Sequence, residues 1–303
     1  MPRRLPALTM RIILVAMMVA LALLAGGAAG LVFWPLPKGS PLGDVTGDAK
    51  RGAYLLRVGG CIACHTSDKE GALSGGDALR SPFGSFYAPN ITSDEDNGIG
   101  AWTIDDFAQA VRFGVRPDGA PYYPAFPYEF YASFSDQDVA DMWTALQSTP
   151  PSSRPSKEHD VPFPFSLREG LKPWRSLFER RYEYERDTNR SASWNRGRYL
   201  VEGPAHCGAC HTPRDVVGGL RPDQSLAGNP SMMDGSRSPG ITPAQLRERG
   251  WTVDSLSRAL RTGVLHDGDT FGGSMEEVVS EGTSFMLTQH LEDMARYLLD
   301  LDE

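Results

Sequence analysis

The sequence contains few cysteines and histidines: its 303 residues include four Cys and six His. All four cysteines fall within two short runs, so no thiol is spare for a role elsewhere in the chain. Outside those runs we find no phosphate-binding loop, no nucleophile with an adjacent base, and no paired acid and base. Outside the two cysteine runs, the sequence therefore contains no recognisable catalytic arrangement.

An excess of positive charge is also absent. Lys and Arg total 30 against 38 Asp and Glu, which gives a net charge of −8. A nucleic-acid partner would require a basic face, so we expect none. The acidic balance is compatible with weak, salt-sensitive docking onto a basic patch of another protein. A hydrophobic content of 41% is ordinary for a globular protein, and the length suits two small domains.

Each cysteine run is a C-x-x-C-H sequence, one at residues 61–65 and one at residues 207–211. This is the attachment signature of c-type haem, in which two thiols add across the porphyrin vinyl groups and the adjacent histidine binds the iron. A zinc site would need further N or S ligands gathered from elsewhere, and a thioredoxin-like dithiol does not need the trailing histidine. Two copies in one chain favour haem. We predict two covalently bound haems c, with these attachment cysteines and iron-ligating histidines: Cys61, Cys64, Cys207, Cys210, His65 and His211.

The N-terminal region contains one long hydrophobic run. Arg3, Arg4 and Arg11 precede an uncharged apolar stretch over residues 12–34, which is long enough to cross a bilayer as a helix. The positive flank predicts a cytoplasmic N-terminus, with the remainder on the far side. Covalent haem attachment normally follows export, which agrees. A signal peptide cleaved within residues 25–30 is the alternative, but the length favours a retained anchor. We therefore expect a bacterial inner-membrane protein, anchored by its N-terminus, with its haem domains in the periplasm.

The two motifs lie within a longer internal repeat. The pattern Arg-Gly-x-Tyr-Leu stands before each motif, at residues 51–55 and 196–200, and predicts a helix that leads into each haem-binding turn. Farther along, residues 102–105 match residues 251–254. The repetition indicates two copies of one small domain.

Helix boundaries are predicted at corresponding positions of the two copies. Thr103 and Thr252 are expected as N-caps of the central helices. Those helices are expected to end at C-terminal glycines, Gly114 and Gly263. The final helices are expected to begin after cap-like residues, Ser135 and Thr288.

We predict a mostly α fold with two tandem class I-like cytochrome c domains after one N-terminal transmembrane helix. The expected segments are a signal-anchor helix (1–35), a linker (36–47), a first cytochrome c domain (48–150), a proline-rich and aromatic linker (151–191) and a second cytochrome c domain (192–303). Residues 48–150 are called the first repeat below, and residues 192–303 the second repeat. The aromatic part of the linker, residues 174–184, is expected to pack across both repeats.

Methionine is the expected second axial ligand, because it stabilises ferrous iron and raises the reduction potential. In the second repeat Met275 follows Gly272 and Gly273, whose small size would let the loop approach a porphyrin closely. Met275 is therefore the predicted metal ligand. Met286 is the alternative, and filling of core space is the ordinary role of either side chain.

The first repeat lacks the equivalent methionine. The offset that relates Trp102 to Trp251 carries Met275 onto Phe126, which cannot ligate iron. The first haem is then five-coordinate, takes water or a small exogenous ligand, or recruits another residue. The residue identities do not choose among the candidates, which are Met142, His159, Tyr122, Tyr123 and Tyr128. Two unlike haems are the prediction.

Histidines outside the motifs show no catalytic pattern. His206 directly precedes Cys207, and we expect it at a haem edge or in solvent. His266 and His290 are expected on the surface, in a loop and at the start of a helix. No catalytic residue is therefore predicted.

Longer segments around the motifs carry a family resemblance. In the first repeat these are residues 88–92, 98–102 and 123–128, and in the second repeat residues 194–203, 206–214 and 273–279. With them the chain, from about residue 47 to residue 300, resembles the membrane-anchored multihaem cytochrome c subunits of periplasmic dehydrogenases. That family includes the subunits of alcohol and gluconate dehydrogenases and the dihaem cytochromes paired with molybdenum hydroxylases.

The resemblance implies electron carriage from a catalytic subunit toward quinone or an oxidase. The implied partners are a periplasmic dehydrogenase or molybdenum hydroxylase subunit, quinol- or oxidase-linked redox proteins, and the inner membrane. The chain departs from the alcohol dehydrogenase subunits in having two motifs where they carry three haems, and Phe126 where their first loop has methionine. The Pro-Asn-Ile-Thr stretch at residues 89–92 also becomes Pro-Gly-Ile-Thr at residues 239–242.

Electron transfer is the leading functional hypothesis. The chain would be a dihaem c-type cytochrome that passes electrons between a periplasmic dehydrogenase, or another donor, and a membrane respiratory acceptor. It would act as a subunit of an oxidoreductase complex and not as an enzyme on its own. The alternative is a peroxidase-like haem enzyme that uses a first haem without a methionine ligand. The apolar loop around Phe126 contains no obvious distal histidine, which counts against this alternative.

Overall fold

The structure is a computed structural model that describes residues 7–67 and 71–302, so the predictions for Arg3 and Arg4 lie outside the described residues. The fold is mostly helical, as predicted. Its α-helices are α1 (Ala7–Val32), α2 (Ala49–Val58), α3 (Cys61–His65), α4 (Ile104–Phe113), α5 (Tyr128–Tyr131), α6 (Asp136–Gln147), α7 (Leu171–Phe178), α8 (Ala192–Glu202), α9 (Cys207–His211), α10 (Pro243–Glu248), α11 (Val253–Thr262), α12 (Ser274–Glu281) and α13 (Thr288–Leu298). An antiparallel hairpin of β1 (Ala78–Ser81) and β2 (Gly84–Tyr87) pairs Ala78 with Tyr87.

The N-terminal helix α1 starts earlier than the predicted apolar run and includes Arg11 within its first turns. Its segment Leu8–Gly30 is long and apolar enough to cross a membrane, with a mean hydropathy of 2.6, and none of it is buried against the rest of the chain. A signal sequence near an N-terminus has the same length and composition. The helix is therefore compatible with an anchor and is weak evidence for one.

The predicted caps of the central helices are confirmed. The side chains of Thr103 and Thr252 accept hydrogen bonds from the third backbone N–H of α4 and α11, and both helices end at left-handed glycines, Gly114 and Gly263. Ser135 caps α6 in the same way. The expectation for Thr288 is wrong, because α13 begins at Thr288 itself and no side chain caps it.

The first and last helices of each repeat cross at a glycine. Helix α2 packs on α6 and α8 packs on α13, which are the largest helix–helix contacts of the described residues. A Cβ atom placed on Gly52 would overlap the carbonyl oxygen of Asp141, and one placed on Gly197 would overlap that of Asp293. Glycine is therefore required at both crossings, because only a residue without a side chain lets the backbones come this close.

An arginine next to each crossing glycine pairs with an aspartate of the opposing helix. Arg51 binds Asp138 and Asp141, and Arg196 binds Asp293. The side chains of Asp141 and Asp293 are almost completely buried, so their charges need these partners. The same combination of glycine crossing and ion pair occurs in both repeats, and it fixes the direction in which α2 and α8 run into the cysteine motifs.

Two hydrophobic clusters form behind the crossings. The first contains Leu55, Leu56, Phe107, Val111, Met142 and Leu146, and the second contains Leu200, Leu256, Leu260, Met286, Leu291 and Met294. Val58, at the end of α2, belongs to the second cluster although it lies in the first repeat. The two repeats therefore share an apolar contact directly before the first haem-binding motif.

The connection between the repeats contains a helix that the proline-rich pattern did not predict. Within α7, the buried guanidinium of Arg175 donates to the carbonyl oxygens of Phe113 and Gly114 in the first repeat. The Trp174 indole N–H donates to the carbonyl oxygen of Val217 in the second repeat, at 2.9 Å. This segment packs against both repeats, as expected, and it helps to fix their relative position.

Replacing Gly52 by Ala tests the helix crossing. We expect the variant to lose about 1–3 kcal/mol of unfolding free energy, because the new methyl group must push the backbone of α6 away. Chemical denaturation of the haem-loaded protein measures this change. Gly43→Ala is the matched control, since a Cβ there meets no atom within 4 Å, and we expect a change within about 0.5 kcal/mol. Equal losses in both variants would contradict a close crossing at Gly52.

Candidate functional site

Both C-x-x-C-H runs form a single helical turn, α3 and α9, immediately after the first helix of their repeat. Each turn is preceded by a residue in the left-handed region, Gly60 with φ 68° and His206 with φ 37°. This conformation reverses the chain between α2 and α3 and between α8 and α9. The two cysteines of a motif are therefore held on one turn, three residues apart, with the histidine next to the second.

The two motif histidines make the same hydrogen bond. His65 Nδ1 donates to the carbonyl oxygen of Pro89 at 2.7 Å, and His211 Nδ1 donates to that of Pro239 at 2.7 Å. Burial lowers the pKa of both imidazoles, against the raising effect of these hydrogen bonds, so the rings are neutral. A neutral imidazole whose Nδ1–H is engaged offers its Nε2 lone pair to a metal in a fixed direction.

The thiols of both motifs are unpaired in the structure. Burial raises the pKa of Cys61 and of Cys207 to about 12, so both sulfurs carry a proton at neutral pH. Within residues 7–67 and 71–302 no three His, Cys, Asp or Glu side chains gather as a metal site, so the donor set of a zinc centre is not present there. Two thiols and one oriented imidazole per turn fit haem c, which takes thioether links and one histidine.

The predicted ligand loop of the second repeat is ordered by α12. Met275 is the second residue of this helix, is partly buried, and packs against the second hydrophobic cluster. The alternative, Met286, is 2% exposed and lies inside that cluster, where it fills core space. The relative burial of the two side chains favours Met275, whose role as an iron ligand stays a prediction.

Phe126 belongs to an aromatic group in the first repeat. Its ring centroid lies 5.5 Å from that of Tyr122, 6.1 Å from that of Tyr128 and 5.8 Å from that of Tyr131. These edge-to-face and tilted contacts are the ordinary geometry of packed aromatic side chains. The position that corresponds to Met275 is therefore filled by a well-packed apolar ring.

Most other candidates for the first iron are engaged elsewhere. Met142 is 1% exposed within the first cluster, and the hydroxyls of Tyr123 and Tyr128 donate to Phe165 O and Glu179 Oε2. His159 Nδ1 accepts the backbone N–H of Tyr87 at 3.2 Å.

Tyr122 differs from these candidates. Among the described residues no hydrogen bond involves its hydroxyl. Burial raises the pKa of the Tyr122 phenol to about 12. A bound ferric iron would itself favour the phenolate, so this shift does not decide whether Tyr122 ligates the metal. Four of the five candidate residues are thus engaged with other groups, and the sixth ligand of the first iron stays a prediction.

The two haem-binding turns lie side by side. His206 contacts the backbone before the first motif: an added Cβ on Gly60 would lie 3.1 Å from His206 Nε2. The expectation that His206 lies at a haem edge or in solvent missed this contact. The only feature of His206 visible in the sequence was its position directly before Cys207, which does not indicate a partner in the other repeat.

His290 also contacts the other repeat, because its Nδ1 lies 2.6 Å from the Tyr54 hydroxyl.

A carboxyl group that the sequence did not single out lies near the second turn. Burial raises the pKa of Glu129 from its ordinary value of 4.5 to about 7, although the charge of Arg214 and the backbone N–H of Arg180 oppose this shift. Arg214 donates to the carbonyl oxygen of Ala209, which is inside the second motif, at 3.3 Å. Arg214 is therefore a neighbour both of this carboxyl group and of the second motif.

Glu129 predicts a specific pH dependence of stability. The Glu129 carboxyl keeps its proton to a higher pH in the folded chain than in the unfolded chain. Its contribution to the free energy of unfolding is therefore complete below about pH 4.5 and is lost as the pH rises through about 7. Through this group the free energy of unfolding changes by at most about 1.4 kcal/mol per pH unit. Chemical denaturation across this interval should give a flatter profile for Glu129→Gln than for the unchanged chain. Glu185→Gln, at an exposed position, should leave the profile unchanged, and parallel profiles for all three would contradict the assignment.

Comparisons with known proteins identify relatives over most of the chain, although no family model matches it. A dihaem cytochrome c-type protein of Cereibacter sphaeroides is 40% identical over 286 residues, which cover 92% of this chain and 95% of that protein. The fructose dehydrogenase cytochrome subunit of Gluconobacter japonicus is 38% identical over 256 residues, or 82% of this chain and 51% of that protein. The gluconate 2-dehydrogenase cytochrome c subunit of Pantoea cypripedii is 36% identical over 272 residues, or 85% and 61%.

The chain thus spans nearly the full length of the first relative and between half and two thirds of each of the two dehydrogenase subunits. The stretch matched to the first relative spans residues 61–65 and 207–211, because any stretch that covers 92% of this chain must contain them. The resemblance drawn from the motif segments is confirmed. The chain belongs to the family of dihaem cytochromes c and dehydrogenase cytochrome c subunits.

Proposed function

We propose that the chain is a dihaem cytochrome c that relays electrons from a periplasmic dehydrogenase to a membrane respiratory acceptor. The observation that carries the proposal is the repeated histidine geometry, in which His65 and His211 each donate Nδ1–H to a proline carbonyl at 2.7 Å. This arrangement orients two imidazoles for iron, one per repeat. The internal repeat supports two class I-like cytochrome c domains, over residues 48–150 and 192–303.

The residues of the chain would hold two haems c and set their chemistry. Haem iron supplies reversible one-electron oxidation and reduction. Cys61 and Cys64 would attach the first porphyrin, and Cys207 and Cys210 the second, so that neither cofactor can dissociate during turnover. The proline carbonyls hold the ligand histidines, and Met275 would complete the second iron site.

The two iron sites would differ in potential. A His/Met site favours ferrous iron, whereas the aromatic group around Phe126 offers no thioether to the first site. A difference in potential between two centres in one chain gives electron flow a direction.

The N-terminal segment and the relatives support the proposed location and partners. Helix α1 would hold the haem domains at the periplasmic face of the inner membrane, which raises the effective concentration of the carrier near its partners. Relatives named as cytochrome subunits of fructose and gluconate dehydrogenases support a dehydrogenase donor. A molybdenum hydroxylase subunit is a further candidate donor, and quinol- or oxidase-linked proteins are the candidate acceptors.

Electron uptake from a dehydrogenase tests this function. The full chain, loaded with haem and embedded in lipid vesicles, is mixed with the catalytic subunit of a gluconate dehydrogenase and its substrate. We expect two electrons per chain to be taken up, followed by absorbance at the haem bands, and no turnover of hydrogen peroxide. Reduction by dithionite serves as the control for competent haems. Rapid peroxide turnover without uptake from the dehydrogenase would overturn the carrier function in favour of a peroxidase-like enzyme.

Phe126→Met tests the difference between the two haems. We expect the variant to convert the first haem to a low-spin His/Met site and to raise its potential, within the range of about 0.8 V that axial ligands span. Electron paramagnetic resonance and a redox titration measure both changes. Phe107→Met, in the core of α4, is the matched control and should leave both haem signals unchanged. Two identical His/Met haems in the unchanged chain would contradict the prediction.

A further inference from the structure

The two haem-binding turns meet through one side chain, that of His206. Its Nε2 atom lies beside Gly60, the residue directly before Cys61. The Tyr131 hydroxyl donates to the carbonyl oxygen of the neighbouring Gly59. The residues that directly precede each motif are therefore in contact across the two repeats.

The ring of His206 is held from several sides. It lies edge-on to Phe130 and Tyr131, with ring centroids 6.4 and 5.8 Å apart. Gly60 presents no side chain to it, and an added Cβ would come within 3.1 Å of His206 Nε2. A ring enclosed in this way has one position, so the contact fixes the distance between the two turns.

The backbone of His206 is unusual. Its φ of 37° lies in the left-handed region, which few non-glycine residues adopt, histidine being among the types found there more often than most. The corresponding position of the first repeat, directly before Cys61, is Gly60, which adopts this conformation without strain. A strained residue persists only where the surrounding structure holds it, and such residues cluster at functional sites. Packing alone would be served by a glycine there, as in the first repeat.

Other contacts bring the same two turns together. Helix α12, which carries Met275, lies beside α3, and the Phe130 ring lies 3.2 Å from the Cβ position of Gly208 inside the second motif.

We propose that His206 is a positioning residue that sets the electronic coupling between the two haems. Its ring brings Gly60, directly before Cys61, against the residue directly before Cys207, so this contact would fix the two haem-binding turns, and the haems attached to them, relative to each other. The oxidation of one iron would balance the reduction of the other, with no proton or outside oxidant required. The inference rests on the proposed function, since it needs a haem in each repeat.

The test compares two substitutions of similar size, His206→Gln and His206→Leu. Both remove the ring, and only Gln keeps a polar group beside Gly60. After flash photoreduction of the full, haem-loaded chain, we expect interhaem electron transfer to be slower in both variants, with the larger loss in His206→Leu, because the contact that holds the two turns at one separation is removed. The magnetic interaction between the two ferric haems, seen by electron paramagnetic resonance, should weaken in the same variants.

His290→Phe is the control for contacts between the repeats in general. It removes the 2.6 Å contact with Tyr54, which also joins the two repeats but lies away from the motifs. We expect its interhaem rate to be unchanged. If this variant slows transfer as much as His206→Leu, general packing explains the effect and the inference is overturned.

Haem content and the potentials separate this inference from the proposed function. Fewer than two haems per unchanged chain would refute the function, whereas an unchanged rate in His206→Leu with two haems and unaltered potentials would refute only the inference. If His206→Leu does not fold, His206→Gly replaces it, because glycine accepts the positive φ and removes the ring. An unchanged rate in that variant overturns the inference in the same way.

Discussion

The backbone of α6 lies directly against Gly52, and the backbone of α13 lies directly against Gly197. Because no side chain separates these helices, a small change at either crossing would reorient the whole of α2 or α8. Each of these helices runs straight into a haem-binding turn. The orientation of both motifs, and therefore of the two ligand histidines, depends on this close crossing and on the buried aspartates that pair with Arg51 and Arg196.

The relation between the two repeats follows from the same geometry. Once α2 is fixed, Val58 enters the second hydrophobic cluster and Gly60 lies against the ring of His206. The connecting helix α7 adds a second link, through Arg175 to the first repeat and Trp174 to the second. The result is one connected unit, in which the proposed electron transfer between the repeats would need no diffusional encounter. A carrier with two fixed sites suits a protein that accepts electrons on one side and delivers them on another.

The two repeats are most alike at the residues proposed to attach haem and least alike at the position proposed for the second axial ligand. Both motifs, both proline carbonyls and both crossing glycines are retained. The position proposed for the second axial ligand differs, with Met275 in one repeat and Phe126 in the other. This pattern fits a duplicated carrier in which attachment is constant and potential is tuned through the second ligand and its surroundings.

The cysteine motifs, the helix caps at Thr103 and Thr252 and the apolar N-terminal run could be recognised from the sequence, because each depends on residues within a few positions of one another. The helix within the proline-rich connection, the contact of His206 with Gly60 and the raised pKa of Glu129 could not. Each of these depends on groups far apart in the chain, and only the packing of the two repeats brings them together and removes water from between them. Local spacing determined which atoms can bind haem, and tertiary contacts decided how the two sites face each other.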